Sequence, residues 1–321
     1  MSPLFLDRHR TDPAALAREA AQGLLAQPAA VSPKFFYDTL GSRLFEAITA
    51  LDEYYPTRTE AAILARHGAE IAAAVHASLG PRPVIIEPGA GSCRKAASLF
   101  GVLQPRHYVA LDISVDYLRE ALGALQREHP ALALVGVGLD FSARLALPPE
   151  ALGPEAGPAL VFYPGSSIGN FAPEQALRLL REAREASAGG ALLIGVDRVK
   201  PTAVLEAAYD DALGVTAAFN LNLLRHLNRV LGSNFAAADW RHVALYDAAA
   251  ARIEMHLEAR RAVQVAWPGG ERHFQAGERL LTEHSYKWTP EGFDALLHDA
   301  GYRDCRHWSD EAGWFSVVLA A

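Results

Sequence analysis

The chain has 321 residues, 50% of them hydrophobic and 21% charged, so it carries ample material for a globular core. A formal net charge of -7 with no Lys/Arg-rich run excludes a nucleic-acid footprint, which needs cations clustered against phosphate, and favours a small-molecule substrate. Cys93 and Cys305 stand outside any disulfide or metal-ligand spacing, no apolar run reaches the ~18 residues of a membrane span, and residues 1–10 are too polar for a signal peptide. A metal-free, cytoplasmic, monomeric protein without membrane or nucleic-acid partners is expected, built as one large domain with an insertion because single cores stop growing at ~250–300 residues.

Residues 12–27 and 57–79 read as helices, the second with Ile63, Ile71, Ala72 and Val75 at helical spacing behind Thr59 as a cap. The short apolar strand at 83–87 runs into the turn Pro88-Gly89-Ala90-Gly91-Ser92 and a helix from Cys93 to Gly101. Strands at 108–113, 132–139, 160–163 and 191–196 then alternate with helices at 115–128 and 173–187. Continuous apolar strands separated by helices imply a parallel sheet covered on both faces.

After Asp197 the pattern changes to a helical stretch over 202–231 and then to the period-two segments 252–259 and 262–267 of half-buried antiparallel strands. A helix capped by Thr289 follows to Asp299, then strands at 304–308 and 314–319. A doubly wound α/β sheet closed by an antiparallel C-terminal strand is the Rossmann-like arrangement of class I methyltransferases. The expected division is a helical segment over 1–56, a cofactor domain over 57–196 and 287–321, and an inserted α+β substrate-binding lobe over 197–286.

The glycines of Glu87-Pro88-Gly89-Ala90-Gly91 stand where backbone must approach a ligand, beside a helix N-terminus. About twenty residues on, Asp112 ends the second strand of this alternation, where a carboxylate accepts from both hydroxyls of a ribose. Asp140-Phe141 at the end of the third suits an adenine amino group and ring, with a helix cap and a core aromatic as the ordinary alternative. Lys95, in the first turn after the loop, suits a carboxylate, although most lysines are simply solvated. Arg94 stands where a dinucleotide fingerprint would place its third glycine, which points away from NAD and towards S-adenosylmethionine.

Four further segments are specific: Ser32-Pro33-Lys34-Phe35-Phe36-Tyr37-Asp38, the run from Leu51 to Glu60 around Glu53-Tyr54-Tyr55-Pro56, Phe162-Tyr163-Pro164-Gly165-Ser166-Ser167-Ile168-Gly169-Asn170-Phe171, and Thr282-Glu283-His284-Ser285-Tyr286-Lys287-Trp288. With the glycine loop, and in order over nearly the whole chain, they resemble the L-histidine Nα-methyltransferase family of ergothioneine biosynthesis. The resemblance implies that Gly89, Lys95, Asp112, Asp140 and Phe141 hold S-adenosylmethionine. It implies that Tyr54, Gly165, Asn170 and Tyr209 bind the backbone groups of the amino-acid substrate between the lobes, that Tyr37 and Asn170 serve the amine in catalysis, and that Glu283 and Ser285 hydrogen-bond the imidazole beside Met255.

Each of these residues also has an ordinary alternative: Tyr54 as a core anchor, Asn170 as a cap before Pro173, Met255 as core, Glu283 as a surface carboxylate. Methyl transfer to a neutral amine needs positioning more than acid–base machinery, and Tyr37 and Phe45 suit the growing ammonium through cation–π attraction. Three transfers to histidine would give its trimethylated betaine, and any sulfoxide synthase is expected on a separate chain. Two other readings stay open: Nα-methylation of another amino acid such as tryptophan, and a non-catalytic module that binds S-adenosylmethionine.

Overall fold

The computed structural model describes residues 2–7, 12–153 and 157–321. The chain opens with strand β1 (Leu4–Asp7) and helices α1 (Pro13–Leu25), α2 (Thr39–Ile48) and α3 (Tyr55–Leu79). An alternating run follows: β2 (Val84–Pro88), α4 (Arg94–Leu103), β3 (His107–Asp112), α5 (Val115–Glu128), β4 (Ala133–Gly138), β5 (Leu160–Tyr163), α6 (Pro173–Ala186) and β6 (Ala191–Asp197). Then come α7 (Thr202–Tyr209), α8 (Val215–Leu231), β7 (Trp240–Asp247), β8 (Arg252–Ala259), β9 (Val263–Trp267), β10 (Gly270–Phe274) and β11 (Arg279–Tyr286). Helix α9 (Pro290–Asp299) and strands β12 (Cys305–Ser309) and β13 (Phe315–Ala320) close the chain.

Two compact units emerge. The first comprises residues 1–10, 56–199 and 288–321. Its eight-stranded sheet has the order β1-β4-β3-β2-β5-β6-β13-β12, parallel except where β13 runs antiparallel to β6 and β12. Every residue of β2, β5, β6 and β13 is buried. Apolar clusters cover both faces, one around Ile85, Ala110 and Leu193, the other around Ile86, Val109 and Ile194, because alternate side chains of a strand point to opposite faces. The doubly wound sheet with an antiparallel C-terminal strand is thus present. Strand β1 adds a parallel edge beside β4 that the hydrophobic pattern did not announce. Helix α3 starts at Tyr55, so Thr59 lies inside it rather than capping it. Thr289 does cap α9, its hydroxyl accepting the Gly292 N–H at 3.1 Å.

The second unit, residues 11–55 and 200–287, packs around α8. Phe219, Leu223 and Leu227 recur every four residues on one buried stripe with Leu224, each worth roughly 2 kcal/mol of burial. The expected helix over 202–231 is broken at residues 210–214, where the Asp211 carboxylate takes the N–H groups of Val215 and Thr216 at 2.9 and 2.7 Å and starts α8 afresh. Helix α8 ends at Gly232, whose φ of +70° supplies the left-handed turn. The unit holds an antiparallel sheet of order β11-β8-β7 and the hairpin β9–β10. Among the described residues no helix is long and apolar enough to cross a membrane.

Candidate active site

In the first unit the loop after β2 turns through Gly89 at φ +68°, where a larger residue would be strained and its Cβ would stand a tight 3.3 Å from the ring of Phe141. A Cβ at Gly91 would meet nothing within 4 Å, which leaves open space over the loop. Asp112 at the end of β3 accepts the Gly91 N–H at 2.9 Å and the Ser114 N–H at 2.8 Å. A carboxylate has about four acceptor sites, so Asp112 both orders the loop and keeps capacity for the two hydroxyls of a ribose. Burial raises its pKa, opposed by those N–H bonds.

Asp140 heads a turn rather than a helix, its Oδ1 accepting the Ser142 N–H at 3.1 Å and hydroxyl at 2.5 Å. Phe141 meets Tyr163 edge-on at 5.9 Å. A glycine cradle, a diol acceptor and an aromatic wall beside a second carboxylate are chemically suited to S-adenosylmethionine. Behind the loop, Glu87 is fully buried and receives the Tyr108 hydroxyl; desolvation pushes its carboxyl up to about 8.

Lys95 is not simply solvated. Its ammonium pairs at 2.7 Å with Glu60, a 1% exposed carboxylate of α3, whose other oxygen accepts the Gly165 N–H at 2.8 Å. Gly165 has φ +83°, and a Cβ there would lie 2.9 Å from the Lys95 Nζ. Beyond it the 3-10 turn Ser167–Asn170 ends at Asn170, while α6 takes Ala172 as its N-cap, so Asn170 is not the cap of that helix.

In the second unit the tyrosines form one aromatic group: Tyr37 lies 5.9 Å from Phe45, Phe45 6.2 Å from Tyr54, and Tyr54 6.2 Å from Tyr209, ring to ring. Phe219 of α8 closes the group at 6.0 Å from both Tyr37 and Phe45. On the sheet, Met255 of β8 stands opposite Glu283 of β11, past a bulge that places Thr282 between Leu281 and Glu283 in the register. The Thr282 hydroxyl holds the Met255 carbonyl at 3.0 Å. Glu283 is 8% exposed, not a surface carboxylate, and burial pushes it up to about 7 against the pull of the Lys287 ammonium. The Ser285 hydroxyl lies 2.7 Å from that of Tyr209.

A family model described as histidine-specific methyltransferase, SAM-dependent, matches residues 16–321. The chain belongs to this family. It is 42% identical to the histidine N-alpha-methyltransferase of Mycolicibacterium smegmatis over 95% of its own length and 94% of that protein's. It is 40% identical to the Mycobacterium tuberculosis protein of the same name, over 96% and 95% of the two chains. Ergothioneine biosynthesis protein 1 of Neurospora crassa is 30% identical over 85% of this chain and 31% of that longer one. The protein is therefore a methyltransferase that uses S-adenosylmethionine on a small molecule.

Three residues of this methyltransferase were given no role by sequence: Glu60, Phe219 and Lys287. Glu60 and Lys287 lie within segments singled out for their specificity, yet neither signals a buried charge. The Glu60–Lys95 pair gives a test. Lys95→Met strands a buried carboxylate and is expected to cost about 2 kcal/mol, less than a wholly buried pair because Lys95 keeps partial access to water. Adding Glu60→Gln should recover most of the melting temperature. A double variant no more stable than Lys95→Met would contradict this.

Proposed function

We propose that the enzyme converts L-histidine to Nα,Nα,Nα-trimethylhistidine by three methyl transfers to the α-amine, as a step of ergothioneine biosynthesis. The observation that carries this reading is Glu283: a buried carboxylate beside the Ser285 hydroxyl and opposite Met255, in a unit whose other candidate residues are aromatic. Such a carboxylate gains most from a ring that brings an N–H, which a phenyl ring or an alkyl chain lacks. The names of the mycobacterial and fungal relatives support the same substrate and pathway.

S-adenosylmethionine supplies an electrophilic sulfonium methyl. The chain's task is to present a neutral amine in one orientation, and water suffices to take its proton, since an α-amine titrates near ~8 in peptides and somewhat higher in a free amino acid. Within this reading Asn170 and Tyr37 orient the amine, Tyr54, Tyr209 and Gly165 serve the backbone groups of the substrate, and Gly89, Lys95, Asp112, Asp140 and Phe141 hold the cofactor. The first unit is assigned the cofactor and the second, which includes the helices before Tyr55, the choice of amino acid. The faces of Tyr37 and Phe45 favour the increasingly methylated ammonium. The free thiols Cys93 and Cys305 fit a reducing, cytoplasmic setting.

Mass spectrometry after incubation with S-adenosylmethionine and, separately, L-histidine, L-tryptophan and L-tyrosine tests the assignment. A gain of three methyls on histidine alone is expected. Methylation of tryptophan in its place would overturn the histidine assignment, and no methylation of any of the three would return the chain to a cofactor-binding module.

A further inference from the structure

Beside its apolar stripe, helix α8 carries a polar one: Asn222, His226 and Arg229 follow at helical spacing and share a face. All three reach a single segment, residues 35–38, within the same unit. The buried Asn222 amide donates to the Asp38 Oδ1 at 2.8 Å, the His226 Nδ1 donates to the Phe35 carbonyl at 2.7 Å, and the Arg229 guanidinium pairs with the Asp38 Oδ2. Each direction is fixed, because a carbonyl and an ionised carboxylate only accept. Asp38 also caps α2, its Oδ1 accepting the Gly41 N–H at 2.7 Å. Gly41 packs so closely there that a Cβ would lie 1.7 Å from the Phe36 carbonyl oxygen.

Tyr37 stands between these anchors. Its ring is set edge-on against Phe45 of α2 at 5.9 Å and Phe219 of α8 at 6.0 Å, and its neighbour Phe36 stacks on the same Phe219 at 4.5 Å. Apolar packing is non-directional and would let the segment slide along α8, whereas the polar contacts at Phe35 and Asp38 fix the backbone from which Tyr37 projects. A leucine at 222 would bury as well and spare the desolvation of an amide, so what Asn222 contributes is geometry.

We propose that Asn222 and His226, with Asp38, are positioning residues that hold Tyr37 in place for the later methyl transfers, so that methylation runs to the trimethylated product. This rests on the function proposed above, which assigns three transfers to one α-amine and Tyr37 to that amine, and it adds the residues that make the series run to its end. After the first and second transfers the nitrogen must give a proton to water to regain the lone pair that attacks the next sulfonium methyl, and it returns larger by one methyl. A primary amine reaches in-line attack from several rotamers, since its other substituents are hydrogens. A dimethylamine must seat two methyls against the aromatic wall at the same time, so the same small displacement of that wall costs the last transfer most.

L-histidine, Nα-methylhistidine and Nα,Nα-dimethylhistidine, offered separately in steady-state kinetics with products followed by mass spectrometry, test this. In Asn222→Leu, which keeps the Asp38 cap of α2 and the Arg229 pair, kcat for dimethylhistidine is expected to fall about tenfold further than kcat for histidine. Mono- and dimethylated products should then accumulate from histidine. His226→Leu should do the same, while calorimetry finds S-adenosylhomocysteine bound to both variants within about twofold of the native affinity. Tyr37→Leu, which removes the wall itself, should show the bias more strongly, and adding Asn222→Leu to it should change little. Equal losses on all three substrates, or none, would assign the stripe to folding alone and overturn the inference. So would a Tyr37→Leu enzyme without the bias, whether or not the α8 variants fold. A native chain that never takes histidine to the third methyl would instead overturn the proposed function.

Discussion

Asp112→Ala is expected to weaken S-adenosylhomocysteine binding by 10²-fold or more in a calorimetric titration. Two effects add. In the proposed cofactor site the variant would lose hydrogen bonds to the ribose hydroxyls, each worth about 1.5–3 kcal/mol when the acceptor is charged. It also releases the Gly91 N–H and, with it, the turn that keeps the space over the glycine loop open. Asp112→Asn keeps part of this: its amide oxygen can still accept from Gly91, but its NH₂ then opposes the Ser114 N–H as well as a ribose hydroxyl donor, and an intermediate loss is expected. A loss below threefold for the Ala variant would remove Asp112 from the cofactor site and leave it a loop anchor alone.

The parts of the fold legible in sequence are those where one local rule dominates. Strand β5 and helix α5 have the expected bounds, the first an uninterrupted apolar run and the second a clean helical stripe ending in the buried Leu118, Leu122 and Leu125. The antiparallel return of β13 followed from an apolar strand after a short helix and a hairpin. What escaped depends on distant partners. Strand β1 is four residues long and exists because β4, about 130 positions later, offers it an edge. Strand β7 is half-buried along most of its length, so its sequence Trp240–Asp247 shows no alternation to read. The break between α7 and α8 was hidden by the apolar Ala212-Leu213, yet Leu213 is 80% exposed and Asp211 turns the chain with its side chain.

Among candidate site residues the same line divides what chemistry suggests from what only packing reveals. Asp112 was marked by its position at a strand end, whereas Glu60 acquires its meaning from an N–H 105 residues away, and Lys287 from two hydroxyls that converge on it only in the folded unit. A lysine's ordinary place is the surface. No pattern along the chain marks one that is buried.

Glu283→Gln should make the protein more stable above pH 7 and a poorer histidine methyltransferase. Burial lifts the Glu283 carboxyl to about 7 from an ordinary 4.5, so the folded state holds this proton more tightly than the unfolded chain does. Stability from this group is therefore fully present below about pH 4.5, falls as the pH rises towards 7, and is constant above it; a shift of this size corresponds to roughly 3 kcal/mol. Glutamine has no charge to bury, so the difference in melting temperature between variant and wild type should be near zero at pH 4.5, grow up to pH 7 and reach several degrees at pH 8.

In the proposed function an imidazole N–H would offset that cost when substrate arrives. Without the charge, kcat/KM for histidine is expected to fall about 10- to 100-fold, the loss of one charge-assisted hydrogen bond in a buried site. Cofactor binding, assigned in the proposed function to residues of the other unit, should be unchanged. A Gln variant with native histidine kinetics would place the imidazole elsewhere, and one with no gain in stability at pH 8 would mean that Lys287 holds Glu283 ionised at no net cost.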